Sequence, residues 1–231
     1  MALTAHRAAR ADVVPPERGE ALPLPYLLVV ADSAATAGRP LGMVVSQAVA
    51  GGARAVWLRD KEKSPGVRRR SAEELAEIVH AVGGLLIASP GPGSEVADGT
   101  QLGAGSPLSG RARRAEPRRG PATAGLVGRS CHGPAELASA ASEGCRWATL
   151  SPIFATASKP GYGPPLGVGA LAGTPLPVWA LGGVDGHNAA ECLRAGAAGV
   201  AVMGAVMKAA DPAAAVAAIL SQLDGVARCP R

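Results

Sequence analysis

Five places in the chain carry residue types and spacings suited to chemistry on an anion. Arg59 and Lys61 alternate within VWLRDKEKS (Val56 to Ser64), two and four residues after Trp57. Successive strand side chains point to opposite faces, so a strand prolonged this far presents all three on one face. Arginine supplies a planar fork of donors and lysine a compact point charge, a pair suited to phosphate or carboxylate. A solvated loop pair would show the same spacing. Ser130 and His132 alternate likewise within VGRSCH (Val127 to His132). Cys131 then points away from His132, which disfavours a cysteine–histidine nucleophilic dyad. An imidazole titrates near neutral pH and suits proton transfer, although a structural histidine would fit the same position. Lys159 stands in a stretch rich in Gly and Pro, where a surface lysine is equally at home. Gly182-Gly183 and Met203-Gly204 complete the set. Bare backbone lets N–H groups approach an anion, and a helix starting there adds its dipole. Either glycine segment alone could be no more than a tight turn; the two together favour phosphate.

The elements that would position these residues follow from alternation of short apolar runs with Ala-rich stretches. Strand candidates run from Pro25 to Ala31, Ala55 to Leu58, Gly84 to Ala88, Thr100 to Leu102, Leu126 to Ser130, Trp147 to Pro152, Val178 to Leu181 and Gly199 to Met203. Helices are expected over Leu41 to Ala50, Pro134 to Ser142, Ala189 to Ala195 and Pro212 to Leu223, and another opening at Ser71, where Glu74 three residues on makes a capping box. Eight strands with mostly short connections predict a closed parallel (β/α)8 TIM barrel. Its third and fourth βα units are degenerate: Pro90 to Gly99 is too short for a full helix, and 103–124 is a basic, Pro-broken loop. An open doubly wound sheet is the structural alternative, but no GxGxxG follows the first strand, which disfavours a dinucleotide fold. The expected organisation is a disordered tail over 1–22, a barrel over 23–225 and a short tail over 226–231.

Composition narrows the class further. A length of 231 residues suits one such barrel, which needs about 250. Hydrophobic residues make up 48% but aromatics only 3%, so the core is expected to be Ala, Val, Leu and Ile. The net charge of +5 would fall to zero without the five arginines at 111, 113, 114, 118 and 119. Basicity is thus local, and nearly no aromatics are available to stack on bases, so nucleic-acid binding does not follow. Cys131, Cys145, Cys192 and Cys229 form no CxxC pair, which leaves zinc and redox motifs unsupported and suits reduced cysteines in a cytoplasmic protein. No run approaches the ~18 apolar residues of a membrane span.

The last third of the chain resembles the thiamine phosphate synthase / TenI family. SPIFATASKPGYGPPLG (Ser151 to Gly167) is similar to that family's loop after the sixth strand, and ALGGVDGHNAAECLRAGAAGVAVMGAVM (Ala180 to Met207) to its seventh and eighth strands. VWLRDKEKS and VGRSCH resemble its second-strand and fifth-strand motifs. The resemblance implies that Arg59 and Lys61 bind a diphosphate or substrate carboxylate. It implies that Ser130 contacts the anionic substrate and that Lys159 closes over a phosphate, with Phe154 and Tyr162 excluding water. Gly182, Gly183, Met203 and Gly204 would cradle the phosphate. In TenI-type tautomerases a histidine matching His132 transfers the proton.

Two departures from the family pattern bear on the reaction. The family usually has Gln where this chain has Trp57. Its synthases hold Mg2+ on an Asn-Asp pair after the third strand and an Asp after the fourth, where this chain has Ala88-Ser89 and Ala104-Gly105-Ser106. Hard Mg2+ favours carboxylate oxygen. The resemblance therefore implies a TenI-like thiazole tautomerase that binds a thiazole phosphate and needs no metal or other cofactor. Its alternative is a divergent thiamine phosphate synthase, which would use Mg2+. Further alternatives are a non-catalytic phosphometabolite-binding protein and another phosphate-binding barrel enzyme. Assembly into a homo-oligomer is left open.

Overall fold

Runs of Leu, Val and Ala four or five residues long make strands that bury both faces, as a parallel sheet covered by helices requires. The computed structural model describes residues 24–106, 126–156 and 164–227. The strands are β1 (Leu27–Ala31), β2 (Ala55–Leu58), β3 (Leu85–Ala88), β4 (Gly99–Leu102), β5 (Val127–Cys131), β6 (Trp147–Leu150), β7 (Val178–Leu181) and β8 (Gly199–Val202). Each pairs in parallel with the next, and β8 pairs with β1 to close the barrel. Around it lie α1 (Leu41–Ala50), α2 (Pro65–His80), α3 (Pro134–Ser142), α4 (Ala189–Arg194), α5 (Gly204–Met207) and α6 (Pro212–Ala227). Between β3 and β4 there is only a 3-10 turn at Ser94–Val96, in keeping with the degenerate third unit. Among the described residues no helix is long and apolar enough to cross a membrane.

Most boundaries agree with expectation to within two residues, and three differences are larger or change the kind of element. The second helix begins at Pro65, six residues before Ser71. Ser64 is its N-cap and Pro65 its first residue, where a fixed φ and a missing N–H suit the helix start. The Ser71–Glu74 spacing therefore sits inside the helix and is not a capping box. The last helix runs four residues past Leu223 to Ala227. Met203, read as the end of the eighth strand, is the N-cap of the short helix α5, which the sequence pattern did not separate from the strand.

The core has two layers. Outward side chains such as Val29, Val56, Leu86 and Val200 pack against Val45, Leu75, Leu137 and Ile219 of the helices. This outer layer is aliphatic, as the composition predicts. The barrel interior is not: all three tryptophans, Trp57, Trp147 and Trp179, stand there with Leu28, Val30 and Ile87. Trp147 and Trp179 meet edge to face with ring centroids 5.6 Å apart. Few aromatics suffice because each indole fills a large volume, and glycine opposite gives it room. A Cβ on Gly128 would stand 2.6 Å from Cζ2 of Trp147, and one on Gly199 would stand 2.8 Å from Cδ1 of Trp179. The predicted tail over 226–231 thus begins in the last helix; its residues 228–231, the predicted N-terminal tail, the arginine cluster, Lys159, Tyr162 and Cys229 lie outside the described residues.

Candidate functional site

The carboxyl ends of parallel strands leave loops free to vary over a rigid frame, which is where barrel sites form. Here those ends surround a cavity of about 390 Å³. Trp57, Arg59 and Lys61 of the β2 end line it, with Ser130 and His132 of β5, Gly182 and Gly183 after β7, and Met203 and Gly204 after β8. All the predicted site residues within the described segments thus meet around one cavity. Phe154 does not: it packs against the outer layer. Its backbone amide bonds the Gly182 carbonyl at 3.0 Å.

Each side of the cavity is built by specific local contacts. Arg59 continues the β1–β2 ladder through its N–H to the Ala31 carbonyl at 2.9 Å. Its guanidinium pairs with Asp32, whose other oxygen accepts the Ala34 N–H at 3.0 Å. Asp60 accepts the Ser33 N–H at 2.7 Å, so the loops after β1 and β2 are tied together beneath Arg59. Lys61 reaches over the end of β3 to the end of β4: a Cβ placed on Gly103 would lie 3.7 Å from its Nζ.

His132 donates from Nδ1 to the Ser151 carbonyl at 2.8 Å. A carbonyl only accepts, so the neutral imidazole carries its proton on Nδ1 and its lone pair on Nε2. Its backbone N–H donates to Glu136 at 2.6 Å. Beneath Ser130 lies a polar layer: the buried Gln101 amide donates to Ser130 Oγ and Thr149 Oγ1, both at 3.2 Å. Cys131 faces the opposite way and is fully buried. Burial, with Glu136 adding to it, pushes its thiol up to about 12, so it is no nucleophile at neutral pH.

The turns after β7 and β8 present backbone to the cavity. Gly182 and Gly183 have φ of +91° and +67°, a conformation that suits glycine. Asn188 fixes this turn, accepting the Asp185 N–H at 2.9 Å and donating to the Gly183 carbonyl at 2.9 Å. The amides of Gly183 and Val184 donate to no acceptor among the described residues, and those of Gly204 and Ala205 open α5, where no intrahelical acceptor exists.

The ends of β3 and β4 carry no carboxylate. Ser89 follows β3, and its hydroxyl accepts the Trp57 indole N–H at 3.1 Å. Gly103 to Ser106 follow β4. Glu95 pairs with Arg69 at 3.2 Å, outside the cavity lining. Asp98 sits at the opposite end of the barrel, accepting the Leu86 N–H at 2.8 Å and lying 2.8 Å from His80 Nε2. Among the described residues no group of three or more His, Cys, Asp or Glu could hold a metal ion.

Residues 27–206 match the family described as thiamine monophosphate synthase. The chain belongs to the thiamine monophosphate synthase family. It is 36% identical over 204 residues to the thiamine-phosphate synthase of Methanoculleus marisnigri, covering 85% of this chain and 94% of that one. With the thiamine-phosphate synthase of Chloroflexus aurantiacus it shares 33% over 196 residues, 82% of this chain and 88% of the relative. Its fold is similar to that of a thiamine phosphate pyrophosphorylase from Pyrococcus furiosus, with a TM-score of 0.72 and 24% identity over 89% of this chain and 98% of that one. Sequence reading did not single out Ser151 and Thr156, which line the cavity, or Gln101 and Asp32, which stand behind Ser130 and Arg59. Gln101 carried one signal: a polar side chain in the inward register of a short apolar strand. Asp32 had none beyond its place after the first strand.

Proposed function

We propose that this family member is a divergent thiamine phosphate synthase, joining hydroxymethylpyrimidine diphosphate to thiazole phosphate. The synthase names of relatives matching nearly the whole chain rank this reading above the tautomerase expected from the motifs. The observation that carries it is the pair of Arg59 and Lys61 facing a backbone cradle across one cavity. Two anionic groups can be held at once: a phosphate on the amides around Gly183 and Gly204, and a diphosphate on the two cations.

In the reaction the C–O bond to diphosphate breaks, and the oxygen keeps the electron pair. The thiazole nitrogen lends its lone pair to the methylene carbon and closes the C–N bond. Charge grows on the departing diphosphate, so cations held at its position stabilise that step more than the ground state. Arg59 is held for this by Asp32. Ser130, anchored by Gln101, offers a hydroxyl to the same anion. The Mg2+ that a synthase implies does not fit the residues present: the ends of β3 and β4 offer Ser89, already bonded to Trp57, and Gly103 to Ser106. These are poor donors for a hard dication.

A second reading, a metal-independent thiazole tautomerase, is favoured by one observation. His132 holds its Nδ1 proton on the Ser151 carbonyl, which leaves Nε2 the basic nitrogen of a proton-transfer group. Purified protein supplied with both synthase substrates should form thiamin phosphate. Proton exchange on thiazole carboxylate phosphate without thiamin phosphate formation would replace the synthase by the tautomerase. Silence in both assays with thiazole phosphate still bound would leave a non-catalytic binding protein.

A further inference from the structure

Among the described residues the cavity is lined by three groups that can carry positive charge, Arg59, Lys61 and His132, and by no carboxylate. A divalent cation held here would have to find oxygen donors on the β3 or β4 side. On the β3 side the Ser89 hydroxyl is taken by the Trp57 indole, and the Arg68 guanidinium donates to the Ser89 carbonyl at 3.0 Å. On the β4 side stands the Lys61 ammonium, 3.7 Å from where a Gly103 Cβ would be. Asp32 and Asp60, after β1 and β2, stand outside the lining, bonded to Arg59, Ala34 and Ser33, and Glu62, Glu136 and Asp185 at the same end of the barrel are outside it too.

From this we infer that the site takes its diphosphate without a divalent cation, the Lys61 ammonium supplying over the β3 and β4 ends the charge that a metal ion would supply. The inference rests on the reading of this cavity as the phosphate-binding site. Its physics is substitution of charge for charge. A lysine is a compact, mobile point charge, and this one stands beside Gly103 at the end of β4. A dication approaching the same place would meet Lys61 and Arg59 as like charges, and the described lining would add no carboxylate oxygen to those of the diphosphate.

Calorimetric titration of the intact protein with inorganic diphosphate tests this. With EDTA present, diphosphate should bind, and adding millimolar Mg2+ should leave the affinity unchanged or weaken it, because Mg2+ complexes diphosphate in solution. Lys61→Met should weaken binding about tenfold or more, with the circular dichroism of the fold retained. The comparison of wild type with and without Mg2+ stands even if that variant fails to fold. Tightening of wild-type binding by tenfold or more on adding Mg2+ would overturn the metal-free site while keeping the phosphate reading, as would a folded Lys61→Met protein that binds like wild type. No binding under either condition would overturn both.

Discussion

At the scale of single residues, the proposed reading of the site rests on bare backbone and on one oriented imidazole. A side chain at Gly204 would meet no atom within 4 Å, so Gly204→Asp should fold normally. Its carboxylate would then face the phosphate, and like charges about 4 Å apart near a protein surface repel by about 4 kcal/mol. Calorimetry should show thiazole phosphate binding lost, whereas Gly204→Ala should keep most of it. Gly183→Asp is a less clean probe of the same site, because its Cβ would lie 2.7 Å from the Phe154 Cβ. His132 separates the two reactions. Removing a general acid–base group typically costs about 10²–10⁴-fold in rate. His132→Ala should lower any tautomerase turnover by that order and leave synthase turnover far less affected, as both assays on one preparation would reveal. Cys131 is expected to be inert: with its thiol raised to about 12, iodoacetamide at pH 8 should leave it unlabelled in native protein by mass spectrometry, and labelling would contradict the buried placement.

At the scale of elements, the loop after β4 is held by one arginine. Arg129 of β5 points outward, is 3% exposed, and grips Glu143 at the end of α3 through two bonds of 2.6 and 2.7 Å. The same guanidinium donates to the Ser106 carbonyl at 2.8 Å, so strand, helix and loop are joined at one point. The bond to Glu143 raises the guanidinium's affinity for its proton against the opposing effect of burial. Glu143→Ala would leave a buried, unpaired cation, which costs roughly 3–5 kcal/mol. The partial exposure of Glu143 puts the expected loss in urea unfolding at the lower end of that range. An Arg129→Met, Glu143→Leu double variant should recover much of the stability, since an apolar pair replaces the buried charges. A Glu143→Ala protein as stable as wild type would show that the clamp contributes nothing.

At the scale of the whole molecule, barrel closure requires the indoles and the small residues opposite them to share the interior. Gly128→Val would press a branched side chain onto Trp147. Such overpacking costs roughly 1–3 kcal/mol and should lower Tm by about 2–12 °C in a chain of this size. An unchanged Tm would mean that the barrel interior is looser than the packing indicates. The arginines at 111, 113, 114, 118 and 119 carry the whole net charge of +5. Their replacement by serine should reduce solubility near neutral pH and keep turnover within a few-fold. A collapse of kcat with the fold intact would assign the segment a part in the site.

The order of elements, the barrel and the meeting of Arg59, Lys61, Ser130, His132 and the glycine turns were legible in the chain alone, because strand alternation and apolar periodicity are local properties. Helix boundaries were less so: Ser71–Glu74 mimics a helix start, and only the packing of α2 shows that Ser64 and Pro65 begin it. What depends on distant partners was not legible. Gln101 beneath Ser130, Asp32 against Arg59 and Arg129 against Glu143 join residues 14 to 29 positions apart, and no local pattern encodes such pairs. The three tryptophans were too few to suggest an aromatic interior, since composition does not say which layer a residue fills. The sequence already lacked carboxylates at 88, 89 and 104–106; only the tertiary structure decided that Glu95 and Asp98 cannot replace them, because the strand register turns Asp98 to the far end of the barrel and pairs Glu95 with Arg69 outside the cavity.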